Sequence, residues 1–118
     1  MIELVIDSRC TQCNLCVQVC PTNVFDPVIN GSPVIARQSD CQTCNMCELY
    51  CQADALYVSP DCEHSSGVNE AEITASGRLG EFRRNSGWDE WSNHPNHKNL
   101  HHQMGEMFAR GAQMKKSR

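Results

Sequence analysis

Eight of the nine cysteines in this 118-residue chain fall into two runs of identical spacing. Each run reads Cys-x2-Cys-x2-Cys-x3-Cys, and each cysteine of the second run lies 31 positions after its counterpart. Three thiolates spaced three residues apart in a tight loop can hold three corners of a cuboidal iron–sulfur cluster. The fourth cysteine of each run follows a short helix, which carries it away from its own loop. The runs are Cys10, Cys13, Cys16, Cys20 and Cys41, Cys44, Cys47, Cys51.

The two runs resemble those of bacterial-type ferredoxins that carry two [4Fe–4S] clusters. The resemblance implies that each cluster takes its fourth ligand from the other run. The two implied ligand sets are Cys10, Cys13, Cys16 and Cys51 for one cluster, and Cys41, Cys44, Cys47 and Cys20 for the other. Because this exchange ties the two halves together, we expect neither half to fold alone.

The second run departs from the family pattern at the residue that follows its last cysteine. Pro21 follows the first run, but Gln52 follows the second. Glutamine leaves a backbone N–H that proline lacks, and hydrogen bonds to cluster sulfur tune the reduction potential. We therefore expect the two clusters to differ in potential.

Disulfides and structural zinc are the alternatives for these cysteines. Disulfides need an oxidising compartment, and eight cysteines at matched spacing are unusually regular for that purpose. Structural zinc usually takes two Cys-x2-Cys pairs separated by a long loop, so three ligands at successive threes fit it badly. Iron–sulfur ligation is the better interpretation of both runs.

The segments around the runs predict a small α+β fold. β-branched and apolar stretches predict strands at 2–6, 24–25, 33–36 and 55–58, and short helices should span 15–20 and 46–51. Asn30-Gly31 is a hairpin-turn signal. The repeat predicts a pseudo-twofold, ferredoxin-like (β-α-β)2 dicluster head with an extended, partly helical C-terminal tail. The apolar residues expected around the clusters are Leu15, Val17, Phe25, Ile35, Met46 and Leu56.

Charge also divides the chain near Pro60, which predicts a dicluster domain over 1–60 and a C-terminal extension over 61–118. Residues 1–60 carry six acidic and two basic side chains, whereas residues 61–118 carry eight of each. An acidic head suits a basic patch on a redox partner. It lacks the clustered Lys and Arg that nucleic-acid binding requires.

The sequence also predicts a cytoplasmic location. Residues 1–7 are too short and too acidic for a signal peptide. No apolar run approaches the roughly 20 residues that span a bilayer, so we expect no membrane span. Free thiolates and iron–sulfur clusters favour a reducing compartment.

The first part of the extension contains helix signals and the ninth cysteine. Asn69 is the predicted N-cap of a short helix, with Glu72 completing a capping box and Gly77 ending the helix. Cys62 stands outside both runs. Its acidic neighbours favour a spare thiol over a redox-active one.

The rest of the extension is rich in aromatic residues and methionine. Pro95 and Gly111 bound a predicted helix in which apolar residues recur at helical spacing from Leu100 to Phe108. Such residues are the usual anchors of protein interfaces. The predicted partner-binding residues are Phe82, Trp88, Trp91, Met104 and Phe108.

Four histidines, at positions 94, 97, 101 and 102, crowd the same segment. His97 and His101 lie one helical turn apart and could share a metal ion, but no acid or cysteine completes the site. Polar surface or interface histidines are the favoured interpretation.

The chain resembles the β subunits of adenylylsulfate-reductase-type flavoprotein complexes. The resemblance rests on the architecture of a dicluster head with a C-terminal extension, and on residues 79–84 followed by Gly87-Trp88. The resemblance implies a non-catalytic electron-transfer subunit of an oxidoreductase, with FAD only in the partner subunit. A free ferredoxin that serves several reductases is the alternative. Clusters that act as structural staples or as a redox sensor are a third interpretation, which two neighbouring clusters disfavour.

Overall fold

The structure, a computed structural model, describes residues 1–96. Within this range the chain forms short strands and short helices, which confirms the predicted α+β class. The elements are β1 (Ile2–Val5), α1 (Leu15–Val19), β2 (Phe25–Val28), β3 (Gly31–Ile35), α2 (Met46–Tyr50), β4 (Leu56–Val58), α3 (Glu70–Ser76) and α4 (Glu81–Ser86), with a 3₁₀ turn at Gln38–Asp40.

The strands form two separate two-stranded antiparallel sheets. β1 pairs with β4, so that the first and last strands of the repeat are neighbours, and β2 pairs with β3. The β2–β3 register is irregular between Asp26 and Val28, at Pro27. Proline cannot donate to the hydrogen-bond ladder and is therefore tolerated at such a bulge.

The internal repeat extends to the backbone conformation of the cysteine loops. Asn14 and Asn45 are the N-caps of α1 and α2, and both adopt left-handed backbone angles. Asparagine tolerates this conformation better than most residues, so each loop can turn directly into its helix. Left-handed angles also recur, 31 positions apart, at Gln12 and Thr43 and at Asn23 and Asp54. A pseudo-twofold relation between the complete halves stays a prediction.

The main core lies between the two cysteine loops. Ile2, Val24, Phe25 and Leu56 are buried there together with Cys47. Each apolar side chain that is removed from water in this way contributes roughly 1.5–3 kcal/mol to the stability of the fold. Further cysteines pack against this core: Cys16, Cys20, Cys41 and Cys51.

A second core joins the start of the extension to the head. Ile73 of α3 and the following Leu79 are buried against Ile6, which continues from β1. The predicted cap of α3 is confirmed, because the Asn69 side chain accepts the Glu72 N–H at 2.8 Å and Gly77 adopts the left-handed conformation at the C-terminal end. Residues 68–79 are therefore packed on the head.

The predicted helix between Pro95 and Gly111, with its apolar stripe, lies almost entirely outside the described residues. No helix in the described part of the chain has the length and apolarity to cross a membrane.

Candidate metal centres

Two cavities collect the eight cysteines of the repeated runs into two groups of four. The first is lined by Cys10, Cys13, Cys16 and Cys51. The second is lined by Cys20, Cys41, Cys44 and Cys47. Each cavity thus combines three cysteines of one run with the fourth cysteine of the other.

The remaining walls of both cavities are largely apolar. Of the residues predicted to surround the clusters, Leu15 and Leu56 line the first cavity and Phe25 lines the second. Val17 and Ile35 pack against the main core instead. Met46 is half-buried at the start of α2 and lines neither cavity.

The two short helices place the fourth cysteines. The Cys20 N–H donates to the Cys16 carbonyl at 3.3 Å, and the Cys51 N–H donates to the Cys47 carbonyl at 3.1 Å. Each fourth cysteine therefore sits just beyond the last turn of its helix, in extended backbone. α1 and α2 lie against each other, which brings each of these cysteines to the opposite loop.

Backbone N–H groups donate to cysteine sulfur at matched positions in the two halves. Such bonds stabilise negative charge on the sulfur and help to set the potential of a bound cluster. They run from Gln12 to Cys10 (3.4 Å), Thr43 to Cys41 (3.5 Å), Val24 to Cys20 (3.4 Å) and Ala55 to Cys51 (3.3 Å).

Burial makes several of these thiols poor acids. It raises the pKa of Cys16 to about 12 and raises the pKa of Cys47 well above its ordinary value. Burial also raises the pKa of Cys51, although N–H groups of Ala55 and Ala53 oppose the shift. Since the thiolate is the metal ligand, iron would have to displace these protons. The cavities therefore suit a bound group that carries positive charge, which would stabilise the buried thiolates.

None of the nine cysteines forms a disulfide bond. Within residues 1–96, no three His, Cys, Asp or Glu side chains converge closely enough to bind a single metal ion. The cysteines line the walls of cavities instead, and this spread suits a cluster of several iron atoms better than one tetrahedral zinc ion. The buried Thr43 hydroxyl has no partner among the described residues, and cluster sulfur would offer it an acceptor.

The predicted partner-binding residues differ in how far their side chains are exposed. Phe82 and Trp91 are exposed, at 42% and 59%. Trp88 is half-buried and meets the ring of Tyr50 edge-on, with ring centroids 5.2 Å apart. Met104 and Phe108 lie outside the described residues.

The remaining candidates lie away from both cavities. Cys62 is exposed, and its side chain lines neither cavity. His94 is half-buried, with its ring 6.0 Å from that of Trp91. The other histidines of the extension, at positions 97, 101 and 102, lie outside the described residues.

Sequence reasoning missed an ion pair beside the first cavity. Arg83 of α4 donates to the carboxylate of Asp54 at 2.9 Å and to the Gln52 carbonyl at 3.4 Å, in the loop that follows Cys51. The two charged residues are 29 positions apart, and no spacing rule links them. Both side chains are largely buried, and only the folded structure shows that they lie together.

Comparisons with known proteins concern the cysteine-rich part of the chain. Residues 9–56 match the family model described as a 4Fe-4S dicluster domain. An uncharacterized ferredoxin of Methanocaldococcus jannaschii is 38% identical over 50 residues, which cover 42% of this chain and 79% of that protein. A ferredoxin of Methanothermococcus thermolithotrophicus is 36% identical over 47 residues, covering 40% of this chain and 77% of that protein. No solved structure gives a significant match.

Proposed function

The chain belongs to the ferredoxin family, with a 4Fe-4S dicluster domain, and we propose that it relays electrons through two [4Fe–4S] clusters. One observation carries the proposal: two adjoining cavities each present four cysteines, three from one run and one from the other. Such clusters supply one-electron transfer when bound.

The proposed ligands are the four cysteines of each cavity. Cys10, Cys13, Cys16 and Cys51 would hold one cluster, and Cys41, Cys44, Cys47 and Cys20 the other. The apolar walls shield the sulfur atoms unequally, since Cys47 is buried whereas Cys13 and Cys44 are exposed. The backbone N–H groups stabilise the negative charge of the sulfur atoms that accept from them. No other side chain is needed for electron transfer, so the chain alone would turn over no substrate.

The exchange of fourth ligands is tested with the pair Cys20→Ser and Cys51→Ser. The wild-type protein should bind about eight iron atoms, four in each cluster. Cys20→Ser should damage the cluster held by Cys41, Cys44 and Cys47, and Cys51→Ser should damage the other. Cysteine proton signals, shifted by the paramagnetic clusters and assigned by NMR, report which cluster is altered. Loss of the cluster beside the mutated residue in sequence would show that the fourth ligands are not exchanged.

We further propose an FAD-containing oxidoreductase subunit as the partner. The exposed rings of Phe82 and Trp91 support this proposal, since exposed aromatic residues are frequent interface anchors. FAD would belong to the partner alone, and this chain would be its non-catalytic electron-transfer subunit. The acidic head would add charge complementarity to a basic surface near the flavin.

A free ferredoxin that serves several reductases is the second candidate. Two observations favour it. The relatives are named ferredoxins, and part of the extension is used to cover the head, because Ile73 and Leu79 are buried against Ile6. That part of the extension has a structural role whether or not a partner subunit exists.

The two candidates are separated by isolating the protein from its native host and by mutating Trp91. A stable flavoprotein complex would support the subunit role and supply the partner for binding measurements. Trp91→Ala should then weaken binding by about 2 kcal/mol or more, with both clusters retained. Asn85→Ala, an exposed non-aromatic change on α4, is the matched control. Isolation without any flavoprotein favours the free carrier, whereas equal binding by both variants would show that Trp91 is not an interface anchor.

A further inference from the structure

One hydrogen bond that the repeat would lead us to expect in both cavities is present in the second cavity alone. In the second cavity, the Ile2 N–H donates to Cys41 Sγ at 3.3 Å, in addition to the Thr43 N–H from within the loop. Ile2 is 1% exposed, and the bond is partly buried. Competition with solvent for this bond is therefore reduced.

The position equivalent to Ile2, 31 residues further on, is Pro33. Pro33 is buried in β3 and lines the first cavity together with Cys10, just as Ile2 lines the second cavity together with Cys41. Proline has no backbone N–H. Pro33 therefore cannot give Cys10 the bond that Ile2 gives Cys41.

Some other influences on the two cavities are matched, and some are not. The Gln12 and Thr43 bonds correspond, as do the Val24 and Ala55 bonds. An arginine lies near each fourth cysteine, and each is paired with a carboxylate: Arg37 with Asp26, and Arg83 with Asp54.

Three influences are unmatched. The Glu48 carboxylate acts on Cys47, whereas the equivalent position in the first half is the uncharged Val17. The Thr22 hydroxyl lies 3.8 Å from Cys20 Sγ, and the equivalent Ala53 has no hydroxyl, although its N–H acts on Cys51. A change at position 33 alone therefore isolates its contribution from these.

We propose that positions 2 and 33 contribute to a difference in reduction potential between the centres of the first and second cavities, with Pro33 lowering the potential of the first centre. One-electron reduction adds negative charge to a centre, and an N–H directed at its thiolate sulfur stabilises that charge. Ile2 provides this stabilisation in the second cavity, and Pro33 withholds it in the first. This contribution favours the second centre as the place of an added electron. This inference rests on the ligand sets of the proposed function.

Pro33→Val tests the inference. Valine restores an N–H, and its side chain has nearly the bulk of the proline ring, so that water gains little access to the cavity. The potential of the first centre should rise by about 59 mV, which corresponds to a tenfold shift in a one-electron equilibrium. Redox titration followed by EPR measures the potentials, and the assigned cysteine proton signals show which centre carries the electron.

Pro27→Val is the matched control. Pro27 is exposed in β2 and lines neither cavity, so this change should leave both potentials unaltered. Unchanged potentials in Pro33→Val, with both clusters intact, would overturn the inference. Proton signals that placed Cys10 and Cys51 on different clusters would instead overturn the proposed ligand sets, so the two failures are distinguishable.

Discussion

The guanidinium group of Arg83 lies 2.9 Å from the carboxylate of Asp54 and, on its other side, 2.7 Å from that of Asp89. The Arg83 side chain is only 13% exposed and that of Asp54 20%. Asp54 stands three positions after Cys51, in left-handed backbone. This ion pair therefore fixes α4 to the loop that carries a cysteine of the first cavity.

Asp54→Asn should destabilise the protein by about 2 kcal/mol, because it leaves a largely buried arginine with one carboxylate fewer. Asparagine tolerates left-handed backbone, so the change removes charge with little strain. Unfolding in urea, followed by the visible absorption of the clusters, measures the effect. Asp89→Asn is the control, since the Asp89 side chain is 47% exposed and its contribution is screened. Equal effects of the two changes would contradict the importance of the Asp54 pair.

Gly80→Ala should displace α4 from the head. Gly80 has a φ of 78°, and a Cβ atom at this position would overlap the carboxylate of Asp54. Gly77→Ala is a matched control, because Gly77 has a φ of 73° but no atom within 4 Å of the new methyl group. Both variants are destabilised by backbone strain of about 1 kcal/mol. Only Gly80→Ala adds the steric clash with Asp54. Urea unfolding should show a larger loss for Gly80→Ala, and similar losses would exclude a close approach.

Ile73→Ala should lower the free energy of unfolding by about 2–4 kcal/mol, because it opens a cavity in the second core. Ile73 is 2% exposed and packs with Ile6 and Leu79. Thr74→Ala changes the exposed neighbour in the same helix and should cost far less. A loss below 1 kcal/mol for Ile73→Ala would mean that α3 is not packed on the head in solution.

The carboxylate of Glu3 should add a pH-dependent contribution to stability. Burial opposes its ionisation, but hydrogen bonds from Ser65 and Ser66 outweigh that effect and lower the pKa of Glu3. Since its folded pKa lies below the unfolded value of about 4.3, the stabilisation is present above that value and is lost as the pH falls through the folded pKa.

NMR titration of the Glu3 carboxyl group should therefore give a pKa below the peptide value. The contribution to stability should stay under about 1 kcal/mol, because solvent screens this partly exposed group. Glu3→Gln should remove its pH dependence and leave the fold intact. A Glu3 pKa at or above the peptide value would contradict the hydrogen bonds to Ser65 and Ser66.

Local signals predicted the elements of the head well. The predicted hairpin joins β2 and β3, but its turn residues are Ile29 and Asn30, one position earlier than expected, and Gly31 already begins β3. Asn30 adopts the left-handed backbone angles that this tight turn uses. The helices after each cysteine loop end one residue earlier than predicted, at Val19 and Tyr50. The cap of α3 was predictable for the same reason, since Asn69 and Glu72 interact within one turn.

Relations between distant residues could not be predicted in the same way. The residue pattern alone does not show that β1–β4 and β2–β3 form two separate sheets. Nor does it show that Ile73 and Leu79 pack against Ile6, because their apolar character suits a partner interface equally well. α4 was not predicted as a helix; its six residues between two left-handed glycines depend on contacts with the head.

The anchoring of α3 and α4 gives the two metal centres unequal protection. α3 contacts Ile6, four positions before Cys10, and α4 contacts Asp54, three positions after Cys51. Local opening of these segments is therefore coupled to undocking of both helices. On exposure to air we expect ordered decay, in which the second centre is lost first and a population with one surviving centre accumulates before the protein bleaches completely.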